Sequence, residues 1–181
     1  VVDLNENEVR NAILGLKQAG CESLAVCCLW SFLEPKHELQ IKNIAAEIAP
    51  EMYVTCSTDL APKWGEYERT TAVALNAYIG PTTVGYITRL DESLKLMGYK
   101  PPLQITHCAG GTITVPKAQE APLLTLDSGP VAGVTGSSYL GSLMGYHNVI
   151  TTDLGGTSFD VGVIHDTKPV VSYKSTVHQY E

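Results

Sequence analysis

Basic residues are scarce in this chain of 181 residues: 12 Lys and Arg stand against 19 Asp and Glu, for a formal net charge of −7. Proteins that bind nucleic acid need a positively charged surface, because phosphate contacts supply much of their affinity. The composition therefore argues against a nucleic-acid partner. It does not argue against nucleotide binding, because backbone N–H groups and a metal ion can meet the phosphates of a small ligand.

Long apolar runs and metal-ligand motifs are also missing. No stretch approaches the ~20 apolar residues that a helix needs to cross a bilayer, so we expect no membrane association. The five cysteines lack a CxxC pair and the five histidines lack ligand spacing, which predicts reduced thiols, a cytoplasmic location and no zinc site. The chain opens without an initiating Met, and we expect it to be part of a longer protein.

Apolar periodicity predicts an α/β fold. Helical spacing predicts helices over residues 5–19, 36–48, 64–79, 82–97, 115–120 and 128–146. Apolar runs predict strands over residues 23–30, 52–57, 103–108, 123–127, 148–153, 158–164 and 169–175. The order strand, helix, strand between residues 23 and 57 predicts a parallel crossover, because parallel strands need a long connection between them.

The stretch "TTDLGGTSFDVGVI", residues 151–164, is the most informative motif. It contains neither GxxxxGK[ST] nor GxGxxG, so it is not one of the common phosphate loops. Because the pattern returns to a strand after the glycines, it predicts a hairpin whose glycines reach positive φ and leave room for a ligand. Free N–H groups in such a turn can form an anion site, although an ordinary tight hairpin is the alternative. The predicted phosphate-binding residues are Asp153, Gly155, Gly156, Thr157 and Ser158.

Carboxylates and further glycine turns extend this candidate site. Asp153 and Asp160 flank the turn and are the predicted ligands of a divalent cation, because carboxylates hold the metal that accompanies phosphates. For Asp160, orientation of the loop is the other interpretation. Two more turns, "HCAGGT" at 107–112 and "LDSGPVAG" at 126–133, follow predicted strands, where ligand sites of α/β sheets gather. They add four predicted cofactor-binding residues: Gly110, Gly111, Ser128 and Gly129. For Ser128, capping of the following helix is the other interpretation.

Two further groups have both a structural and a functional interpretation. Glu66, Glu68 and Arg69 open a predicted helix, either as an exposed charged face or with Arg69 bound to a phosphate or a substrate carboxylate. His107 beside Cys108 suggests a thiol nucleophile. A cysteine that ends an apolar strand is more typical of a core, however, and we expect Cys108 to be structural.

An ordered set of motifs resembles the hydantoinase A / 5-oxoprolinase family: "AVCCLWSFLEPKHE", "EYERTTAVALNAYIGP", "CAGGT", "SGPVAG" and "DLGGTSFDV". The resemblance covers nearly the whole chain. It implies part of an actin-like, sugar-kinase or heat-shock ATPase fold of the ribonuclease H-like type, with a mixed sheet, flanking helices and ATP between two lobes. Residues 1–60 would be a βαβ segment that ends the preceding lobe. Residues 61–181 would be an incomplete hydantoinase A-type domain with its phosphate-binding hairpin at 153–160.

The resemblance also implies a function for the parent protein. Family members use ATP, with Mg²⁺ or another divalent metal, to activate a substrate by phosphorylation, and the favoured activity is hydrolysis of a cyclic amide of the hydantoin or 5-oxoproline type. The alternatives are a ketone carboxylase subunit and a non-catalytic nucleotide-binding or assembly domain. A sugar or acid kinase is less favoured, because "SGPVAG" directly before the hairpin is the hydantoinase pattern. No catalytic residue can be assigned from the sequence.

Partners and completeness are further expectations from the resemblance. Family members work with a second subunit, here expected to be of the hydantoinase B type, or form homo-oligomers. The hairpin of the first lobe and the glycine-rich segment beside adenosine are not among these residues. Because the second-lobe hairpin is only half of an ATP clamp, we expect the 181 residues alone to be inactive.

Overall fold

The computed structural model describes residues 2–171. The chain divides into two compact units, the first built from residues up to 104 together with 114–123, and the second from 105–113 together with the chain from 124 onward. Each unit is described by itself below. No helix among the described residues is long and apolar enough to cross a membrane.

The first unit is built on a parallel pair of strands. Strand β1 (Ser23–Val26) pairs in parallel with β2 (Tyr53–Cys56), and helix α2 (Lys36–Ile48) lies in the connection between them. This confirms the predicted crossover. Helix α1 (Glu6–Gln18) precedes β1, and the Asn5 side chain caps it by accepting the N–H groups of its first turn. A small core lies between α1, α2 and the strands. Its buried residues are Ile13, Ile44, Ala45, Ala49 and Met52.

A single long helix replaces the two helices predicted over 64–79 and 82–97. After the short helix α3 (Ser57–Leu60), helix α4 runs without interruption from Glu66 to Leu96 and includes Pro81. Proline in a helix interior removes one hydrogen bond and clashes with the preceding turn. Tertiary packing offsets that cost, because α4 lies against β1, β2 and the helix α5 (Val115–Glu120), with buried residues on both sides of Pro81.

Two predicted strands are shorter than expected or absent, and hydrogen bonding gives the reason. The predicted strand over 23–30 ends at Val26, because the N–H and C=O groups of Cys28 bind side chains instead of a neighbouring strand. The predicted strand over 123–127 is wrong. Residues Pro122–Thr125 form a 3₁₀ turn, in which the Leu123 N–H donates to the Asn76 side chain.

The second unit contains an antiparallel sheet covered on one face by a helix. Strands β3 (Gln104–Thr106) and β4 (Thr112–Thr114) form a short pair before helix α6 (Ser128–Leu143). Strands β5 (Val149–Leu154), β6 (Phe159–His165) and β7 (Lys168–Pro169) then follow in spatial order. Of the strand predicted over 169–175, only Pro169 lies in β7. Val170 still donates its N–H to the Val163 carbonyl at 2.8 Å, but residues 170 and 171 are not part of the strand, and residues 172–175 lie outside the described residues.

Close packing of α6 on this sheet depends on glycine. A side chain at Gly162 of β6 would overlap Val134 of α6, and one at Gly141 of α6 would crowd Val149 of β5. Gly141, near the C-terminus of α6, lies beside Val149 at the start of β5, whereas Val134, nearer the N-terminus, lies beside Gly162, which is closer to the hairpin. The N-terminus of α6 therefore points toward the end of the sheet that carries Asp153 and the hairpin turn. The helix and the turn therefore face the same end of this unit.

Candidate functional site

The predicted hairpin is confirmed. Strands β5 and β6 pair in register from Val149 with Ile164 to Leu154 with Phe159, so residues 155–158 form the turn. The Gly155 N–H donates to the Ser158 carbonyl at 3.0 Å and closes this turn. In the part of the chain that the structure describes, the N–H groups of Gly156, Thr157 and Ser158 have no protein acceptor, and all three residues are exposed.

The glycines of the turn act differently from the prediction. Neither Gly155 nor Gly156 has a positive φ, so the expected left-handed backbone is wrong. Their lack of side chains leaves the backbone open: a Cβ at Gly156 would meet nothing within 4 Å, and one at Gly155 would touch only the Ser158 carbonyl. The predicted space for a ligand is present because the glycines have no side chains, and not because they adopt a positive φ.

The two candidate metal ligands lie opposite each other. Asp153 on β5 and Asp160 on β6 are cross-strand partners, and side chains in such pairs share one face of the sheet. Asp160 is half-buried and accepts the Ser158 hydroxyl at 3.0 Å, whereas Asp153 is exposed. Neither carboxylate is paired with a basic side chain among the described residues. Two such oxygen ligands fit a hard divalent cation, although no group of three ligating side chains gathers in residues 2–171.

Helix α6 begins beside a strained residue rather than a capping serine. Asp127 occupies the N-cap position with a φ of 52°, and its carboxylate makes no capping hydrogen bond. The predicted capping role of Ser128 is therefore wrong. Its hydroxyl accepts a hydrogen bond from Thr106 at 3.1 Å and ties α6 to the end of β3. Gly129 follows in the first turn of the helix, with open space around it.

The glycine turn after β3 lies against α6. Gly110 and Gly111 have φ values of 89° and 79°, so both need the freedom of glycine. A side chain at Gly110 would approach the Thr135 hydroxyl of α6 to 3.5 Å. This turn therefore packs on α6 within the second unit. That the predicted residues bind a nucleotide stays a prediction.

His107 and Cys108 form hydrogen bonds with backbone groups of the same unit. The His107 Nδ1 accepts the Ala109 N–H at 2.9 Å, and the Cys108 N–H donates to Leu124. The cysteines of the chain are free. In the first unit, burial raises the pKa of the Cys56 thiol to about 12 and also raises that of Cys28, so both stay protonated and weakly nucleophilic at neutral pH.

Arg69 lies in the interior of the first unit, which overturns the prediction of an exposed charged face. Its side chain is only 1% exposed. It donates to the hydroxyls of Ser31 at 2.5 Å and Ser57 at 2.8 Å, and to the Cys28 carbonyl at 3.1 Å. The guanidinium also lies 5.5 Å from the centre of the Phe32 ring. With these bonds Arg69 ties the start of α4 to the carboxyl ends of β1 and β2.

Glu38 binds the same Ser57 hydroxyl as Arg69 and was not predicted from the sequence. It is fully buried in the first turn of α2 and accepts the Cys28 N–H and the Ser57 hydroxyl, both at 2.7 Å, and the Thr58 N–H at 3.0 Å. Burial by itself would raise the pKa of this carboxyl, but the hydrogen bonds outweigh it and hold the pKa below 4.5. A lone acid on the core side of an otherwise apolar helix face was the available signal.

An α/β protein with an exposed, carboxylate-flanked hairpin turn is the class that this fold and site define. The chain belongs to the hydantoinase/oxoprolinase family: that family matches residues 69–181, and its N-terminal region matches residues 1–49. The sequence is 35% identical to the acetophenone carboxylase gamma subunit of Aromatoleum aromaticum, over 89% of this chain and 22% of that protein. It is 28% identical to the caprolactamase subunit alpha of Pseudomonas jessenii, over 87% of this chain and 23% of that protein.

A solved structure agrees with the fold. The nucleotide-free structure of acetone carboxylase, from work on ATP-dependent acetone carboxylation, matches with a TM-score of 0.82 and 32% identity. The match covers 93% of this chain and 24% of that one. It confirms the predicted mixed helix-and-sheet fold as part of a larger protein. The chain thus spans about a quarter of the length of these relatives, and the division into parts at residues 60 and 61 stays a prediction.

Proposed function

We propose that the hairpin turn at residues 155–158 binds the phosphates of ATP in a parent protein that uses ATP to activate a cyclic amide for hydrolysis. The observation that carries this proposal is the row of backbone N–H groups of Gly156, Thr157 and Ser158, which have no acceptor among the described residues. Consecutive free N–H groups in a tight turn make an anion-binding concavity. The membership of the hydantoinase/oxoprolinase family and the likeness to an ATP-dependent enzyme support it.

Each residue of the site has a part in this proposal. The N–H groups of Gly156, Thr157 and Ser158 and the Thr157 hydroxyl donate to phosphate oxygens, and the Ser158 hydroxyl, which donates to Asp160, orients that carboxylate. Asp153 and Asp160 hold a divalent cation, which would neutralise charge on the phosphates. The first turn of α6 favours a negative charge, so Ser128 and Gly129 line the site on that side. The glycine turn at Gly110 and Gly111 forms a further part of its wall.

Ketone carboxylation is the second candidate for the parent protein. Its support is that the acetophenone carboxylase subunit and acetone carboxylase are 35% and 32% identical to this chain, against 28% for the caprolactamase subunit. A second subunit of the hydantoinase B type and a cytoplasmic location are part of the same proposal. Three of the relatives are themselves named as subunits of larger enzymes.

Calorimetry of ATP–Mg²⁺ binding tests the hairpin, on this chain and on its longer parent side by side. Asp153→Asn in the parent should weaken binding at least about tenfold, because it removes one charge from the cation site. The matched control is Asp166→Asn, an exposed aspartate at the far turn of the same sheet whose φ of 47° asparagine also tolerates. Unchanged binding by the Asp153 variant, or equal loss in both variants, would contradict the proposal.

A further inference from the structure

The two candidate cation ligands lie on the face of the sheet that α6 covers. Side chains along a strand alternate between the two faces, so Asp153 shares its face with Thr151 on β5. Gly162 is the cross-strand partner of Thr151, and a side chain at Gly162 would meet both Thr151 and Val134 of α6. Helix α6 therefore lies over the same side of the sheet as the carboxylates of Asp153 and Asp160.

The first turn of α6 lies level with these carboxylates. From Gly141 to Val134, α6 advances by seven residues, while its contacts on the sheet advance from Val149 to Gly162 and thus by one pair on the same face. A step of similar length toward the N-terminus of α6 reaches Ser128, and the next pair on that face is the pair of carboxylates. Ser128 and the candidate cation ligands therefore lie at the same level of this unit.

The hydroxyl of Ser128 is held by a residue outside the glycine motifs. Thr106, the last residue of β3, donates its hydroxyl proton to the Ser128 Oγ at 3.1 Å. A serine hydroxyl has one proton to donate and two lone pairs that accept, and this bond uses a lone pair. In residues 2–171 the proton of the Ser128 hydroxyl has no acceptor. It is therefore available to an oxygen of a bound ligand.

Backbone bonds fix the segment that carries Thr106. The His107 N–H donates to the Gly111 carbonyl at 3.1 Å, and the Cys108 N–H donates to the Leu124 carbonyl at 2.8 Å. The end of β3 is thus tied both to its own glycine turn and to the 3₁₀ turn that precedes α6. A donor on such a fixed support loses little entropy when it orients a neighbouring group.

We infer that Thr106 is a positioning residue of the ATP site, which orients the Ser128 hydroxyl so that its proton meets a phosphate oxygen. This inference rests on the proposed function. A serine hydroxyl otherwise rotates to suit its surroundings, and the bond from Thr106 restricts that rotation. Hydrogen bonds in a chain also polarise one another, so Ser128 becomes a better donor to an anion. Thr106 acts through Ser128 and does not contact the nucleotide.

A double-mutant cycle in the parent protein tests this inference by calorimetry of ATP–Mg²⁺ binding. Thr106→Val keeps the branched shape and removes the donor, so affinity should fall about two- to tenfold, the range of one hydrogen bond. Thr106→Ser should restore it. Because Thr106 acts through Ser128, Thr106→Val should have no further effect in Ser128→Ala. The matched control is Thr152→Val, on the exposed opposite face of β5, which should bind ATP as the wild type does.

Thermal unfolding without nucleotide separates positioning from a structural tie. The midpoint should be unchanged in Thr106→Val, because the bond to Ser128 is exposed. Wild-type affinity in Thr106→Val, a lowered midpoint that accounts for the loss of affinity, or an additive effect in Ser128→Ala overturns the inference. If the wild type binds ATP and Asp153→Asn weakens binding while Thr106→Val does not, only this inference fails. If the wild-type parent does not bind ATP, the proposed function fails as well.

Discussion

The two charged clusters of this chain are opposites. In the first unit Glu38 and Arg69 are both buried and hydrogen-bonded to serine hydroxyls and backbone groups of the same unit, while the Arg69 Nε has no partner among the described residues. In the second unit Asp153 and Asp160 face each other across the hairpin without any basic partner among the described residues. The charges of the first cluster bind groups of the fold, whereas those of the second are free to bind a ligand.

The difference shows that a charged motif indicates function only when its charges lack partners. In the sequence Arg69 had a phosphate or a substrate carboxylate as an alternative to an exposed charged face, and the hairpin aspartates were predicted to hold a metal ion. The terminal nitrogens of Arg69 donate to Ser31, Ser57 and Cys28, and its buried Nε has no acceptor among the described residues. In residues 2–171 the hairpin N–H groups of Gly156, Thr157 and Ser158 and the Asp153 carboxylate have no such partners, and a ligand would supply them.

Removal of Arg69 should have the largest effect. Arg69→Met removes the guanidinium donors from the buried Ser31 and Ser57 hydroxyls and from the Cys28 carbonyl. A buried polar group that loses its partner costs about 1–3 kcal/mol. Urea unfolding at pH 7 measures the change. The control is Lys95→Met, which breaks an exposed pair with Asp91 in the same helix and should cost less than about 1 kcal/mol. Similar losses in both variants would show that the buried cluster is not a structural anchor.

Acid should weaken the same cluster through Glu38. Its folded pKa lies below the ordinary value of 4.5, so its stabilising contribution is complete above that pH and is lost as the pH falls through the lower folded value. Over this interval a single group gives a slope of at most about 1.4 kcal/mol per pH unit. Unfolding measured from pH 6 to pH 3 should lose part of its pH dependence in Glu38→Gln. An identical pH profile in the variant would contradict the assignment.

The hairpin should respond in binding and hardly in stability. Ser158→Ala removes an exposed hydroxyl that bonds only to Asp160, and we expect a change in unfolding free energy within about 0.5 kcal/mol. ATP binding by the parent should weaken about two- to tenfold, the range of one hydrogen bond. Ser142→Ala, at the far end of α6 and equally exposed, should change neither quantity. A large stability loss in the Ser158 variant would place the hairpin in the same class as the buried cluster.

Local pattern was sufficient for much of the fold and for the hairpin. Helix α2 has the predicted bounds, and α1 begins and ends within one residue of the helix predicted over 5–19. These elements follow their periodicity because each buries one apolar face, which a short window of sequence already contains. The hairpin between β5 and β6 was visible for the same reason, since strand, glycine pair and strand are adjacent in the chain.

Elements that depend on distant partners were not predictable. The strand after Ser23 stops early because Glu38 and Arg69, 10 and 41 residues away from Cys28, take its hydrogen bonds. The helix through Pro81 continues because strands far back in the chain pack along it. Propensity describes each residue beside its neighbours, and long-range packing overrides it wherever a buried group needs a partner.

The sequence by itself determined the parallel crossover, the hairpin, the glycine turns and the family to which they belong, because these are written in residues close together in the chain. Only the tertiary structure decided which charges are used. It joined the buried Arg69 and Glu38 through the Ser57 hydroxyl, left Asp153 and the hairpin N–H groups without partners among the described residues, and set both tryptophans in solvent. Whether a charged group has protein partners depends on what the fold brings within hydrogen-bond distance, and that depends on contacts between distant parts of the chain.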